Sequence, residues 1–352
     1  MNILITGAAG FVGYQMAKYF KEHYINATVM GIDNLSRRGS EYNVPLLKEL
    51  GCTFFHGDIR NKEDVDDLPK ADWIIDCAAN PSVLAGLQGG SFGLVNNNLI
   101  GTIYLLEKCK RDNAGFIMLS TSRVYSIEEL NRIPLTETED SFVIQQNAQY
   151  PQGFSALGVG EGFSTSAPIS LYGSTKLASE VLALEYHYTF GFPVWIDRCG
   201  VIAGPGQFGK IDQGIFSFWI YQYLLERPLS YIGFGGKGKQ ARDFFHPRDL
   251  FSMIQMQVDD PGKKVNRLVN LGGGVENTYS LAQLDTYCKR RFGSDKVINS
   301  ITENRSFDIP LYVTDYSLAT KQWGWRPQLK AEAILDEIAG YAQKNFELIK
   351  KL

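Results

Sequence analysis

Short, almost continuously apolar runs alternate with longer stretches of helical spacing through the first 205 residues of this chain. The runs at 2–6, 27–32, 52–56, 73–77, 116–120 and 194–198 have the pattern of strands buried on both faces. The stretches 12–20, 62–68, 94–111 and 172–190 space their apolar residues as helices do. Alternation of this kind predicts an α/β fold, a doubly wound parallel sheet whose ligands lie beyond the carboxyl ends of the strands. Polar clusters stand at those ends: Gly57-Asp58-Ile59 after the third run, Ala78-Ala79-Asn80-Pro81 after the fourth and Ser120-Thr121-Ser122 after the fifth.

Past Pro205 the pattern turns aromatic and glycine-rich, as in Phe216-Ser217-Phe218-Trp219 and Tyr231-Ile232-Gly233-Phe234-Gly235-Gly236. This predicts a main domain over 1–205 and a smaller C-terminal lobe over 206–352, with 244–258 returning to the main domain. The stretch 144–170 is polar and rich in Gly, Ser, Gln and Asn, and it leads directly to Tyr172. A long loop in that position predicts a lid.

Composition narrows the function classes. With 35 basic and 38 acidic residues the net charge is −3, which gives nucleic acid no basic surface to bind. No apolar run approaches the ~20 residues of a membrane helix, and the apolar start runs into a glycine turn without a basic leader, so a cytoplasmic location is expected. The five cysteines, Cys52, Cys77, Cys109, Cys199 and Cys288, are scattered and lack metal-ligand spacing, as reduced thiols would be.

Two short runs carry the chemistry. Gly7-Ala8-Ala9-Gly10-Phe11-Val12-Gly13 links the first strand to the first helix. Gly7 permits the sharp turn, Gly10 lets the backbone approach a pyrophosphate, and Gly13 lets helix and strand pack closely. Asp33, at the end of the second strand, is placed to accept from the adenosine ribose hydroxyls and to repel a 2′-phosphate, which favours NAD. Arg37-Arg38 lie close enough to reach such a phosphate, which keeps NADP open. The second run is Tyr172-Gly173-Ser174-Thr175-Lys176, which sets a phenol and an ammonium on one helix face. A neighbouring cation favours the phenolate, so Tyr172 can take a proton from a sugar hydroxyl that Thr121 positions.

With these residues the chain resembles the extended short-chain dehydrogenases/reductases, a Rossmann-type family, from residue 1 to about 327. More narrowly it is similar to the CDP-paratose 2-epimerase (CDP-tyvelose epimerase) group, through 120–126, 198–205, Asp212-Gln213-Gly214 and Gly238-Lys239-Gln240-Ala241-Arg242-Asp243. The resemblance implies a catalytic set of Thr121, Tyr172 and Lys176. It implies NAD contacts from Gly7, Gly10, Phe11, Val12, Gly13, Asp33, Asn34, Asp58, Ile59, Ala78, Ala79, Asn98, Tyr172, Lys176 and Arg198. Contacts to a nucleotide-diphosphate sugar would come from Ser122, Arg123, Gln207, Gln213, Gln240, Arg242 and Arg305, with the last two arginines on the diphosphate. No metal is implied, and a homodimer or higher homo-oligomer is.

Departures from the family pattern sharpen the expectation. Sugar-nucleotide 4,6-dehydratases carry an Asp-Glu pair after the threonine, where this chain has Ser122-Arg123, which disfavours elimination. Many 4-epimerases have an asparagine where Val201 stands. The expected activity is inversion of C2 in a CDP-linked deoxyhexose through a transient keto sugar. A 4-epimerase on a UDP-sugar and a net NAD(P)-dependent reductase or dehydrogenase use the same groups and stay open.

Overall fold

The structure is a computed structural model that describes residues 1–87, 89–210 and 213–351. Asp212 of the resemblance motif lies outside the described residues. Seven parallel strands form one sheet: β1 (Asn2–Thr6), β2 (Thr28–Asp33), β3 (Thr53–His56), β4 (Trp73–Asp76), β5 (Gly115–Thr121), β6 (Val194–Cys199) and β7 (Leu268–Leu271). Their order is β7-β6-β5-β4-β1-β2-β3, so the chain reverses direction beside β1 and β4 and opens a crevice there.

Alternate residues of each strand feed two cores. Ile3, Ile5, Val29, Ile75, Ile117 and Trp195 face α1 (Phe11–His23) and the helix Pro247–Asp259. Leu4, Met30, Ile74, Phe116, Met118 and Ile196 face a helical stretch over 91–112, here α2, and α3 (Ser170–Phe190). Burial on both faces is why the strands read as continuous apolar runs. The middle turn of α2, Asn96–Ile100, is π-helical.

Within 244–258, the helix Pro247–Asp259 packs on α1, with the Phe251 ring 5.1 Å from that of Phe20. The strand Ala241–Phe245 belongs instead to a separate small sheet with Val201–Ile202, Thr278–Ser280 and Leu311–Tyr312. The C-terminal lobe has its own core, in which Phe216, Trp219 and Ile220 meet Leu284, Ile334 and Ile338. Trp323 and Trp325 return to the main core.

The lid expected over 144–170 is not what the fold contains. Phe154, Val159 and Phe163 are buried in a core with Tyr125 and Leu311. Val159 N donates to Val313 O at 2.8 Å, and Glu161 accepts from Asn270 N at 2.7 Å. Lifting this segment would expose that apolar surface and break those bonds, and none of its residues lines the main cavity. Among the described residues no helix is long and apolar enough to cross a membrane, and no cluster of His, Cys, Asp or Glu could hold a metal ion.

Candidate active site

The glycine turn crosses the crevice between β1 and β4. Gly7 has φ +60°, and a Cβ there would lie 3.0 Å from the Ala78 backbone. At Gly13 a Cβ would lie 2.1 Å from Gly7 O, so only glycine lets α1 approach the turn this closely. A Cβ on Gly10 would meet nothing nearer than Gly7 O at 3.1 Å, which leaves open space above the turn. No side chain caps α1 at Gly10, so the N–H groups of its first turn, carried by Phe11, Val12 and Gly13, suit a pyrophosphate.

Asp33 accepts from Ala9 N at 3.0 Å and Leu35 N at 2.8 Å. A carboxylate has about four acceptor positions, so capacity remains for ribose hydroxyls. Burial pushes its pKa up, against the pull of those amides. Beside it Asn34 Nδ2 donates to Asp58 at 3.0 Å. Arg60 holds the Asp58 carboxyl down at about 2. Ile59 turns its side chain into the core against Gly101, leaving its backbone at the strand end. Ala78 and Ala79 follow β4 at the turn. Arg37 donates to Gln213 and, at 2.8 Å, to Phe208 O, while Arg38 donates to Lys351 O. Both arginines that could have served a 2′-phosphate are engaged with the C-terminal half, and the seat fits NAD.

Thr121 is the last residue of β5, and Tyr172 and Lys176 lie in the first turns of α3, all three buried. Burial pushes the Tyr172 phenol up to about 12, while a hydrogen bond with Thr121 and the charge of Arg123 pull it down. Burial outweighs both pulls on the phenol of the protein alone. The charge of Lys176 acts on Cys77 and Cys199, thiols that burial still pushes up.

Beyond the strand ends a cavity of about 260 Å³ runs between the two lobes. Arg123, Gln213, Gln240, Arg242 and Arg305 line it, as the sequence led us to expect. Arg242 Nη2 donates to Asp308 at 2.9 Å and to Ile309 O at 2.7 Å, and burial lowers its pKa to about 10. Gln240 gives Nε2 to Ile232 O and leaves Oε1 unpaired. The remaining wall is largely apolar, with Val83, Leu84, Phe216, Trp219, Leu229, Tyr279 and Phe307 beside Ser230, Ser306 and Asp308. Sequence reading missed these residues because they come from segments far apart in the chain.

Four expected contacts are placed differently. Arg198 is buried in a fork with Glu180, at 2.9 Å and 2.6 Å, and also donates to Tyr125 Oη. It ties β6 to α3 and is not at the cofactor seat. Asn98 uses its whole amide on Asn80, Asn97 and Thr175, and so positions the 78–81 turn against α3. Gln207 bonds Ile202 O and Ser217 and stands outside the cavity wall, as does Ser122.

Glu180 was not expected at all. It accepts from Ser120 Oγ at 2.5 Å besides Arg198, and so joins the strand of Thr121 to the helix of Tyr172. The buried face it shares is itself largely polar, with Ser170, Thr175, Lys176 and Ser179, so the sequence offered no signal that set Glu180 apart.

Residues 3–272 match the NAD dependent epimerase/dehydratase family. The chain is 30% identical to a CDP-paratose 2-epimerase of Salmonella typhi over 94% of this chain and 96% of that one. It is 28% identical to a UDP-glucuronate 4-epimerase of Thermodesulfobacterium geofontis over 99% and 98%. In structure it is similar to a UDP-glucuronic acid 4-epimerase of Bacillus cereus solved with UDP-glucuronic acid and NAD, with a TM-score of 0.74, 25% identity and coverage of 98% and 99%. A glycine turn built for a dinucleotide, the Thr121–Tyr172 pair above it and these matches together show that the chain belongs to the NAD-dependent epimerase/dehydratase family of extended short-chain dehydrogenases/reductases, enzymes of nucleotide sugars, with NAD as its cofactor.

Proposed function

We propose that the protein inverts C2 of a CDP-linked deoxyhexose without net oxidation. The observation that carries this reading is the burial of Thr121 at the end of β5 and of Tyr172 and Lys176 in the first turns of α3, with Ser122 and Arg123 where elimination would need carboxyl groups. Bound NAD⁺ supplies a hydride acceptor that returns the hydride to the sugar. Tyr172 takes the hydroxyl proton, Thr121 orients that hydroxyl, and Tyr172 gives the proton back after the keto sugar has turned over. Arg242 and Arg305 hold the diphosphate, so binding energy remote from the reacting carbon retains the ketone.

The 30% identity to a CDP-paratose 2-epimerase supports the choice of base and carbon. The second reading, a UDP-sugar 4-epimerase, draws on the 28% relative. Incubation with CDP-paratose, CDP-tyvelose and UDP-glucuronate, followed by proton NMR, separates the two. Interconversion of the CDP-sugars supports C2 inversion. Inversion of UDP-glucuronate at C4 transfers the assignment to the second reading, and accumulation of free NADH indicates a net dehydrogenase.

We also propose a homodimer through α2 and α3, whose outer faces expose Phe92 (76%), Val181 (57%) and Tyr188 (75%).

A further inference from the structure

One side chain reaches from the loop after Asp33 to the wall of the cavity between the lobes. That loop folds back on the end of β2, with Leu35 N donating to Asp33 at 2.8 Å and Ser36 N to Asn34 Oδ1 at 3.0 Å. Arg37 leaves it half-buried and crosses to the stretch after Pro205. There its guanidinium donates to Gln213 Oε1 and, at 2.8 Å, to Phe208 O. Shape seats the loop at the same place. Gly39 has φ +97°, and a Cβ on it would lie 2.5 Å from the Phe208 ring.

Gln213 stands at the far end of this bridge, in the cavity wall that also holds Arg123, Arg242 and Arg305. Its backbone is fixed, since Lys210 N donates to its carbonyl at 2.7 Å and its own N–H donates to Lys210 O at 3.1 Å. The orientation of its amide is what remains, and Arg37 sets it. A guanidinium carries donors and no acceptor, so the Gln213 oxygen turns to it and the NH₂ is the group left over. Among the described residues no acceptor takes that NH₂. Gln207, in the same stretch, is the contrast: it spends both ends of its amide on Ile202 O and Ser217 Oγ. Phosphate and hydroxyl oxygens of a nucleotide sugar are acceptors of the kind that the Gln213 NH₂ can serve.

We propose that Arg37 is a positioning residue for the nucleotide sugar: it holds the Gln213 amide with its NH₂ toward the substrate, and so ties substrate affinity to the loop after Asp33. The inference rests on the reading of the cavity as a nucleotide-sugar site. It gives a task in substrate binding to an arginine that stands on the cofactor side of the molecule.

Calorimetric titration of the NAD-loaded enzyme with CDP-glucose and with UDP-glucose, in a double-mutant cycle of Arg37→Met and Gln213→Ala, tests it. Each single variant should bind the better probe about five- to tenfold more weakly, and the double variant no more than about twofold more weakly than either. Arg37→Lys, which keeps a donor for Oε1, should stay within about threefold of wild type. Gln213→Glu leaves Arg37 a partner but offers the substrate no donor, and should lose about tenfold or more. Losses that multiply in the double variant would mean that Arg37 acts on the fold and not through Gln213, and overturn the proposal. Unaltered affinity in Arg37→Met, Gln213→Ala or Gln213→Glu overturns it as well. A preference for UDP-glucose with the same cycle supports it while moving the base to uracil. Binding of neither probe by the wild type would overturn the nucleotide-sugar reading itself, a failure seen before any variant is made.

Discussion

The Glu180–Arg198 pair offers the sharpest test of how the site is held. Both side chains are buried, with 2% of the Glu180 side chain exposed and 7% of that of Arg198. Burial opposes the charge on Arg198, and Glu180 more than restores it. In Glu180→Gln the guanidinium keeps its charge in the interior and loses its counter-ion. Removing one partner of a buried pair costs ~3–5 kcal/mol. With a denaturant dependence of about 3 kcal/mol per molar urea, the unfolding midpoint should fall by roughly 1–1.7 M at a fixed excess of NAD. Glu180 also holds Ser120, next to Thr121, so kcat should fall more than KM rises. The double variant Glu180→Gln, Arg198→Met, which removes the stranded charge, should recover part of the lost stability. A midpoint for Glu180→Gln within about 0.3 M of wild type would refute the reasoning, because it would mean that water reaches Arg198.

Tyr172→Phe should lower turnover by ~10²-fold or more while NAD still co-purifies, checked by release of the cofactor on denaturation. Gly173→Ala places a Cβ 2.2 Å from Arg123 O, a backbone atom that cannot step aside, so both thermal stability and turnover should drop. Asp197 is fully buried, with one oxygen accepting from Gln257 and the other unpaired, and burial pushes its pKa from 3.8 to about 7. The folded protein then holds a proton that the unfolded chain loses from about pH 4 upward, so this group's contribution to stability is full below pH 4 and is lost as pH rises to 7. Asp197→Asn should flatten the fall in urea midpoint between about pH 4 and pH 7; an unchanged slope would count against a neutral buried acid. Val181→Glu should convert the proposed dimer to monomers in sedimentation, and an unaltered mass would remove α3 from the interface.

What the sequence made legible follows from locality. The six expected strands and the glycine turn are each specified within about a dozen consecutive residues, and all six lie in the sheet. The seventh strand, Leu268–Leu271, escaped because it is four residues long and carries Asn270 in its middle. That polar residue is tolerated because Tyr125, Val159 and Glu161, all more than a hundred residues away, satisfy its side chain and backbone. Arg198 misled for the same reason. The resemblance gave Arg198 a cofactor contact, whereas the structure pairs it with Glu180 on the neighbouring helix, a pairing that no spacing rule announces. Asn98 lies in a π-helical turn that periodicity does not resolve, and the extra residue there aims its amide at Asn80 and Thr175. Cavity residues were legible through the family resemblance, as with Arg123, Arg242 and Arg305, and illegible where the wall is aromatic. Phe216 serves the lobe core and the cavity with one ring, and its sequence context is the same for both. Chemistry at this site is therefore read most directly from charges that burial would forbid without a partner, as Arg242 shows with Asp308 and Ile309 O.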